Sequence, residues 1–251
     1  MDNIKAVILA AGRGTRLQSD EAQIPKHMRI AAGKPLLHYV LKSIDFIKTK
    51  KDIIMIVGYL KELVMEAFPE YMFVEQDMEK AYGTGAAVRC AERAVGDFAG
   101  DILIHSGDMP LITRETLIYL RNEHIKNKND CTILSCEVDD VLTLGRIVRD
   151  DSGNFLKIVE NRDCTEEQKQ IKEYNTLVGI YNSKKLFEQL KYLKNNNKSG
   201  EYYLTDVPKL FFENDYKVGV CKAINNYEIY GADSIEDLKR IENILIGNSA
   251  K

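Results

Sequence analysis

Short apolar runs rich in β-branched residues recur along the first half of the chain, and each is followed by a turn and by a stretch whose apolar residues have helical spacing. Continuous apolar runs are typical of strands that are buried on both faces of a sheet. The predicted strands span residues 6–9, 53–57, 72–74, 102–104 and 132–134, and the predicted helices span residues 36–47, 85–94, 113–125 and 186–193. This alternation predicts an α/β fold in which helices cover a parallel sheet.

The pattern changes after about residue 137, where the strand-like runs come closer together. They span residues 146–148, 155–159 and 177–181, and this spacing favours antiparallel pairing. Thr165 and Gln168 fit a capping box, so a helix is predicted to begin there, and residues 234–237 fit a second box before another helix. No Pro/Gly/Ser-rich linker separates the two parts. We therefore predict a single domain over residues 1–251 with two lobes, 1–137 and 138–251.

The composition narrows the classes of function. Hydrophobic residues make up 45% of the 251 residues and charged residues 29%, as in a globular domain that buries a core. The formal net charge is -3, whereas nucleic-acid-binding domains typically carry an excess of basic residues, so no nucleic-acid partner is predicted. The longest apolar stretch, residues 53–60, is too short for a membrane span, and the N-terminus lacks the features of a secretory signal. The five cysteines form no C-x-x-C pair, and a cytoplasmic location is predicted.

The loop after the first predicted strand has the composition of a phosphate-binding turn. Gly12 and Gly14 let the backbone approach a ligand closely, and Arg13 and Arg16 supply permanently charged donors. Leu17 stands where the dinucleotide fingerprint needs a third glycine, and no Gly-Lys-Ser/Thr sequence follows. Neither a Rossmann dehydrogenase nor a P-loop ATPase is therefore supported. On these residues alone, a simple tight turn is an equal alternative.

That loop is the first of a series of motifs. They are LAAGRGTRL at residues 9–17, IPK at 24–26, AGKPLL at 32–37, GTG at 83–85, SGDMPL at 106–111, GRI at 145–147, IVE at 158–160, YNT at 174–176 and GEYYLTD at 200–206. Together they resemble the sugar-1-phosphate nucleotidyltransferases, and they are most similar to the uridylyltransferase domains of bifunctional enzymes that act on N-acetylglucosamine 1-phosphate. The resemblance implies a Rossmann-like nucleotidyltransferase fold with a mixed, mainly parallel central sheet flanked by helices.

The activity implied by this resemblance is transfer of a uridylyl group from UTP to N-acetylglucosamine 1-phosphate, which gives UDP-N-acetylglucosamine and pyrophosphate. Residues 1–137 would form the nucleotide-binding lobe and residues 138–251 the sugar-phosphate-binding lobe. The acetyltransferase domain and trimer-forming β-helix of the bifunctional enzymes have no counterpart in the sequence, so no oligomer is implied. Two alternatives stay open: the same chemistry with another nucleotide or phosphorylated acceptor, and a regulatory module that binds a nucleotide sugar without turnover.

Residue roles follow from the same resemblance. Arg16, Lys26 and Asp108 would be the catalytic residues, with Arg16 and Lys26 on the triphosphate. The substrate-binding residues would be Leu9, Ala10, Ala11, Gly12, Gln76, Gly83, Thr84, Gly107, Gly145, Glu160, Asn175, Thr205 and Asp233. Among these, Gln76 would bind the base edge, and Glu160 and Asn175 would bind the sugar. The plainer alternatives are a solvated loop lysine at 26, an ordinary helix start at 83–84 and a salt-bridged strand residue at 160.

Asp108 and Asp233 are the implied ligands of Mg²⁺. Asp108 follows the predicted strand 102–104, at the edge where an α/β sheet presents ligands, although aspartate also favours simple turns. For the second ligand, Asn225 and Asn226 look like the family's metal-binding pair. The run from residue 228 to 233 fits the family pattern without a gap, however, which favours Asp233. No catalytic role is predicted for the four histidines.

Overall fold

The computed structural model describes residues 3–17, 19–77, 79–140 and 142–249. Its strands are β1 (Ile4–Ala10), β2 (Ile30–Ala31), β3 (Lys34–Pro35), β4 (Ile53–Val57), β5 (Met72–Glu75), β6 (Asp101–Ser106), β7 (Cys131–Glu137), β8 (Arg146–Arg149), β9 (Phe155–Val159), β10 (Glu173–Asn182) and β11 (Val218–Lys222). Its α-helices are α1 (Ser19–Ala22), α2 (Leu36–Ser43), α3 (Lys61–Ala67), α4 (Thr84–Cys90), α5 (Glu92–Val95), α6 (Arg114–Lys126), α7 (Ser183–Leu190), α8 (Val207–Glu213) and α9 (Ile235–Ser249). Short 3-10 helices span Thr15–Leu17, Lys26–Met28, Lys50–Asp52, Gln168–Gln170, Leu204–Asp206 and Asn226–Ile229. No helix within these ranges is both long and apolar enough to cross a membrane.

One mixed sheet forms the centre of the described chain, in the order β11-β7-β10-β6-β1-β4-β5, with β8 paired to β10 and β9 paired to β8. β1 is parallel to both β4 and β6, and β4 is parallel to β5. β10 runs antiparallel between β6 and β7, while β11 is parallel to β7. A small second sheet pairs β2 with β3. The parallel first half and the antiparallel pairs of β8, β9 and β10 agree with the sequence pattern, whereas β11 adds a parallel strand to the second half.

Helices cover both faces of the sheet. Side chains alternate across a strand, so Val7 and Leu9 of β1 face one layer, and Ala6 and Ile8 face the other. The first layer contains α4, α5, α7 and α8, and the second contains α2, α3 and α6. The predicted α/β fold with a mixed central sheet flanked by helices is therefore confirmed. Because both faces are covered, ligands can reach the sheet at the strand ends and their loops.

The predicted elements occur in their expected places but differ in length. The strand 53–57 is β4 without change, whereas the helix predicted over 36–47 ends at Ser43 as α2. The helix predicted over 85–94 divides into α4 and α5 at Ala91. The sequence pattern does not predict the elements α1, α3, α8, β2, β3 and β11. In β11 the apolar run is interrupted by Gly219, and the strand is an edge strand that is only half buried, so its pattern is weak.

Both predicted capping boxes form their reciprocal hydrogen bonds, but only one begins an α-helix. The Ser234 N–H donates to Asp237 Oδ2 (2.9 Å), and the Asp237 N–H donates to Ser234 Oγ (3.1 Å), at the start of α9. The Thr165 N–H donates to Gln168 Oε1 (3.0 Å), and the Gln168 N–H donates to Thr165 Oγ1 (3.2 Å). The helix predicted after Thr165 is wrong, because the chain makes a single 3-10 turn there and buries no side chain in it.

Candidate active site

The carboxyl ends of β1 and β6 lie side by side at the point where the sheet changes direction. From β1 the chain adds β4 and β5 on one side, and then returns to add β6 on the other. Loops that leave such a switch point diverge, and α/β proteins bind ligands in the crevice between them. The Gly107 N–H donates to the Leu9 carbonyl (2.9 Å), which ties the two loops together at their base. The candidate site lies beyond this tie.

The loop after β1 leaves space for the Lys26 side chain to enter this crevice. Gly14 has a φ of +71°, and a Cβ at this position would meet Lys26 Cβ at 2.6 Å. Glycine avoids both the left-handed strain and the clash. Lys26 itself begins a 3-10 helix directly after Pro25. The second glycine of the loop therefore accommodates a charged side chain from the segment that follows it.

Two carboxylates converge on the Lys26 ammonium. Lys26 Nζ lies 2.7 Å from Asp233 Oδ1 and also forms an ion pair with Asp108 Oδ2. The remaining carboxylate oxygens are engaged as well, because Ser106 Oγ donates to Asp108 Oδ1 (2.5 Å) and Arg16 Nη2 lies 3.3 Å from Asp233 Oδ2. We call these five side chains the Lys26 cluster. It unites residues from four separate segments of the sequence.

The electrostatics of the Lys26 cluster keep its ion pair fully charged. Burial disfavours the ionised form of Asp108, but Lys26, His27 and the hydrogen bond from Ser106 hold the pKa of this carboxyl well below its usual range. Burial likewise opposes the charge on Lys26, but Asp108 and Asp233 raise the pKa of the ammonium above its ordinary value. At neutral pH the lysine is therefore protonated and Asp108 is ionised.

His27 lines the site beside the Lys26 cluster, although the sequence suggested no role for it. Its ring is buried, and a Cβ at Gly107 would meet the ring at 2.8 Å, so the absence of a side chain there makes room for it. Burial lowers the pKa of His27 to about 4, with Asp108 opposing and Lys26 reinforcing the shift. The imidazole is therefore neutral at pH 7. Its Nδ1 atom has no hydrogen-bond partner among the residues that the structure describes.

A cavity of about 190 Å³, which we call the β1–β6 cavity, opens between the loops after these strands and the start of α4. Eight of the predicted site residues line it: Leu9, Ala11, Gly12, Lys26, Gln76, Gly83, Thr84 and Asp108. Ala10 and Gly107 are buried and do not line it. Further lining residues that the sequence analysis did not identify include His27, Tyr82, Ser106 and Glu201. The sequence could have indicated two of these residues, because His27 follows Lys26 directly and Ser106 lies two residues before Asp108.

Gln76 and Gly83 fix one wall of the β1–β6 cavity. The buried Gln76 side chain donates from Nε2 to the carbonyls of Ala81 and Gly83 (3.2 Å each), so its amide nitrogen is engaged by the loop that follows β5. Gly83 has a φ of +118°, and a Cβ there would meet the Tyr202 carbonyl oxygen at 2.5 Å. The Tyr202 N–H donates to the Tyr82 carbonyl (2.9 Å). This wall is therefore built by backbone packed directly on backbone.

Glu160 is the centre of a second group of predicted residues. Thr205 Oγ1 donates to Glu160 Oε1 (2.8 Å), and a Cβ at Gly145 would lie 3.6 Å from the same oxygen. The Asn175 N–H donates to the Gly145 carbonyl (2.8 Å). Burial raises the pKa of Glu160, although the hydrogen bond from Thr205 opposes the shift. A partly buried carboxylate of this kind is stabilised by a further hydroxyl donor.

A second cavity of about 320 Å³, the Glu160 cavity, connects this group to the Lys26 cluster. Glu160, Arg16 and Asp233 line it, and Glu201 is shared with the β1–β6 cavity. Gly145, Asn175 and Thr205 surround Glu160 but do not line the cavity. The two cavities therefore meet at the Lys26 cluster.

Asp233, and not Asn225, reaches the Lys26 cluster. The Ala232 N–H donates to the Asp108 carbonyl (3.0 Å), which holds the neighbouring Asp233 beside Asp108. Asn225 Nδ2 instead donates to Glu228 Oε1 (2.9 Å). Glu228 is fully buried and accepts hydrogen bonds from the start of α6. Asn225 thus belongs to a network that supports that helix.

Asp108 and Asp233 suit a divalent cation that also has phosphate ligands. Both offer carboxylate oxygens, which Mg²⁺ prefers, and they already converge on one positive charge, the Lys26 ammonium. In the described ranges, no group of three or more His, Cys, Asp or Glu side chains has metal-binding geometry. Mg²⁺ commonly binds through one or two carboxylates plus substrate phosphates, so two protein ligands are sufficient.

Nucleotidyltransferases are the class of protein that shares this fold. A UDP-glucose pyrophosphorylase complexed with UDP-glucose superposes with a TM-score of 0.74 at 18% identity, covering 99% of this chain and 100% of that one. A Bacillus anthracis protein assigned as a glucose-1-phosphate thymidylyltransferase, in complex with sucrose, has a TM-score of 0.71 at 21% identity, covering 96% of this chain and 94% of that one. The predicted Rossmann-like nucleotidyltransferase fold is confirmed.

The chain belongs to the family of MobA-like NTP transferase domains, whose sequence profile matches residues 6–205. Among curated proteins, the bifunctional protein GlmU of Streptococcus mutans serotype c is 39% identical over 241 residues. The bifunctional protein GlmU of Streptococcus gordonii is 40% identical over 241 residues. Each alignment covers 96% of this chain and 51% of the relative, so the chain spans about half the length of the curated relatives it matches. The resemblance stated from the motifs is thereby confirmed.

Proposed function

We propose that this chain transfers a uridylyl group from UTP to N-acetylglucosamine 1-phosphate and releases pyrophosphate. The observation that carries the proposal is the position of the Lys26 cluster, where the β1–β6 cavity meets the Glu160 cavity. Two substrates bound in the two cavities would bring their phosphates together at this cluster. The similarity to the bifunctional protein GlmU supports the choice of substrates.

In this proposal, residues 1–137 form the nucleotide-binding lobe and residues 138–251 the sugar-phosphate-binding lobe. Lys26 and Asp108 belong to the first lobe and Asp233 to the second, so the Lys26 cluster is shared between them. We place the reaction in the cytoplasm, where the five cysteines, all free in the structure, stay reduced.

The nucleotide lobe binds UTP by its base, ribose and phosphates. Gln76 binds the base edge, Gly83 and Thr84 contact the base and ribose, and the backbone from Leu9 to Gly12 follows the phosphates. Lys26 and Arg16 neutralise the charge that builds as the bond to pyrophosphate breaks. Donors held in place before the reaction are effective because they need no reorganisation during it.

The sugar lobe binds and aims the acceptor. Glu160 and Asn175 hold the sugar, Gly145 leaves room for it, and Thr205 orients the Glu160 carboxylate. The acceptor phosphate is already an anion at neutral pH, so its oxygen can attack the α-phosphate in line without a general base. Mg²⁺ held by Asp108 and Asp233 would supply positive charge that offsets the repulsion between the two substrates. Catalysis is then positioning plus charge neutralisation.

The experiment that tests this function is a pyrophosphate-release screen. Four nucleoside triphosphates are paired with N-acetylglucosamine 1-phosphate, glucose 1-phosphate and other sugar phosphates in the presence of Mg²⁺. We expect the highest kcat/KM with UTP and N-acetylglucosamine 1-phosphate. A clear preference for another pair would mean that the proposed reaction is correct but that its substrates are different. Binding of UDP-N-acetylglucosamine without any turnover would instead favour a regulatory module.

Replacement of Asp233 separates its role from that of Asn225. Asp233→Asn keeps an amide oxygen that can coordinate but loses a charge, so the Mg²⁺ concentration for half-maximal rate is expected to rise by about tenfold. Asp233→Ala removes the oxygen, and the rate at saturating Mg²⁺ is expected to fall by more than about tenfold. Titration of Mg²⁺ against the rate measures both effects.

The matched control is Asn225→Ala. Because Asn225 bonds to Glu228, which accepts hydrogen bonds from the start of α6, its removal is expected to affect thermal stability and to leave the Mg²⁺ dependence unchanged. A silent Asp233→Ala beside an inactive Asn225→Ala would mean that the asparagine pair is the metal site.

A further inference from the structure

All four oxygens of the two cluster carboxylates have a partner within the protein itself. Lys26 Nζ takes one oxygen from each carboxylate, Oδ2 of Asp108 and Oδ1 of Asp233. Ser106 donates to the second oxygen of Asp108, and Arg16 pairs with the second oxygen of Asp233. A metal ion that approached this pair would find no carboxylate oxygen without a donor or a positive charge.

The ammonium also occupies the position that a bridging metal would need. Lys26 Nζ lies 2.7 Å from Asp233 Oδ1 and contacts Asp108 Oδ2, whereas Mg²⁺ binds carboxylate oxygens at about 2.1 Å. An ion that coordinated the same two oxygens from the side of the ammonium would therefore overlap it. The lysine side chain is only 12% exposed. The ammonium can therefore make room for a metal ion only if the side chain moves out of its buried position.

The charges of the Lys26 cluster cancel one another within the structure. Asp108 and Asp233 carry two negative charges, and Lys26 and Arg16 carry two positive ones. Attraction of a divalent cation to such a neutral group is weak. A triphosphate changes this balance, because its oxygens can take over the lysine and the arginine and leave both carboxylates for the metal.

We propose that Lys26 and a divalent cation compete for Asp108 and Asp233, so that metal binds tightly only when a phosphate-bearing ligand draws the lysine away. This inference rests on the proposed function in one respect, the assignment of a divalent cation to these carboxylates. It adds an order to binding: the nucleotide, with or without its own metal, must arrive before the carboxylates become metal ligands. Lys26 thus acts as an internal counter-ion that the substrate displaces.

The first test measures Mn²⁺ binding to the full chain by electron paramagnetic resonance, with no nucleotide present. Lys26→Met removes the competing charge and is expected to tighten Mn²⁺ binding by about tenfold or more, equivalent to about 1.4 kcal/mol. Lys26→Arg keeps a positive charge beside both carboxylates and is therefore expected to stay within about threefold of the wild type. The control is Lys51→Met, an exposed lysine just before β4, at the amino ends of the parallel strands and therefore away from the site. Equal Mn²⁺ affinities for Lys26→Met and Lys51→Met would overturn the proposal.

A second measurement uses the wild-type chain and does not depend on the folding of any variant. Acetic anhydride labels uncharged, accessible amines, and mass spectrometry reports the labelled fraction at each lysine. Saturating Mn²⁺ is expected to release the Lys26 ammonium and raise its labelling several-fold relative to Lys51 in the same sample. Unchanged or reduced labelling of Lys26, with Mn²⁺ bound, contradicts competition.

These tests separate the competition from the proposed reaction. Tighter Mn²⁺ binding in Lys26→Met, with no turnover in the pyrophosphate screen, would support the competition and remove the proposed activity. Normal turnover of the wild type, with no change in Mn²⁺ affinity in Lys26→Met, would leave the activity in place and overturn the competition. Adding Asp233→Ala to Lys26→Met is expected to abolish the gain in affinity, because it removes one of the two contested ligands.

Discussion

Lys26→Met is expected to lower kcat by about 10²- to 10³-fold, the loss typical of removing one preorganised donor from a site where negative charge develops. The lysine is nearly buried between two loops and carries the positive charge closest to both carboxylates. A methionine of similar length fills the space without the charge. The measurement is steady-state kinetics with UTP and N-acetylglucosamine 1-phosphate at saturating Mg²⁺.

Two further variants show how large a loss of kcat is expected when a positive charge is removed elsewhere. Arg16→Ala is expected to cost less, because the Arg16 side chain is 66% exposed and water screens exposed charges. Lys51→Met removes the same charge at a distance from the site and is expected to leave kcat unchanged. Circular dichroism melts of all three show whether the fold is intact. A folded Lys26→Met with wild-type kcat would mean that Lys26 only pairs with the carboxylates and does not reach the phosphates.

Gly83→Ala is expected to lower the free energy of unfolding by about 2–5 kcal/mol, which combines backbone strain with overpacking. The φ of +118° is a conformation that other residues rarely adopt, and the added Cβ would lie 2.5 Å from the Tyr202 carbonyl oxygen and 2.7 Å from its nitrogen. Both contacts are with backbone, so neither can be relieved by a rotamer change. Urea unfolding followed by circular dichroism measures the loss.

Gly153→Ala is the matched control. Gly153 also has a positive φ, +84°, but nothing lies within 4 Å of an added Cβ. Only the strain of the left-handed conformation applies there, about 1–2 kcal/mol. If Gly83→Ala cost no more than Gly153→Ala, the close packing of Gly83 on Tyr202 would not exist in solution.

The fold could be predicted from the sequence to the extent that burial decided it. The strands β1, β4 and β6 of the parallel half are buried on both faces, so their apolar runs show in the sequence and appear where expected. The helix predicted after Thr165 failed for the complementary reason. Its capping box supplies the first hydrogen bonds, but the segment buries no side chain, and tertiary packing is what stabilises most short helices.

The Lys26 cluster was only partly accessible from the sequence. Lys26 and Asp233 are 207 residues apart, and no local pattern indicates that they touch; only the resemblance to a known family placed both at one site. The environment of His27 in the site could not be predicted from the sequence. Its burial and neutral ring follow from the approach of Gly107 on a different loop, and that approach depends on the register of β6 beside β1.

The irregularity in β10 places one side chain, Leu177, beside two cavities. The register of β10 against β7 shifts between Asn175 and Gly179, and within the shift Leu177 adopts a left-handed φ of +57°. Leu177 lines the β1–β6 cavity and also a third cavity, which Met109, Arg240 and four side chains of the Lys26 cluster line as well. A single side chain on a distorted strand therefore borders both cavities. A sequence change at this one position would therefore alter both cavities at once, while the strands on either side keep their pairing with β10.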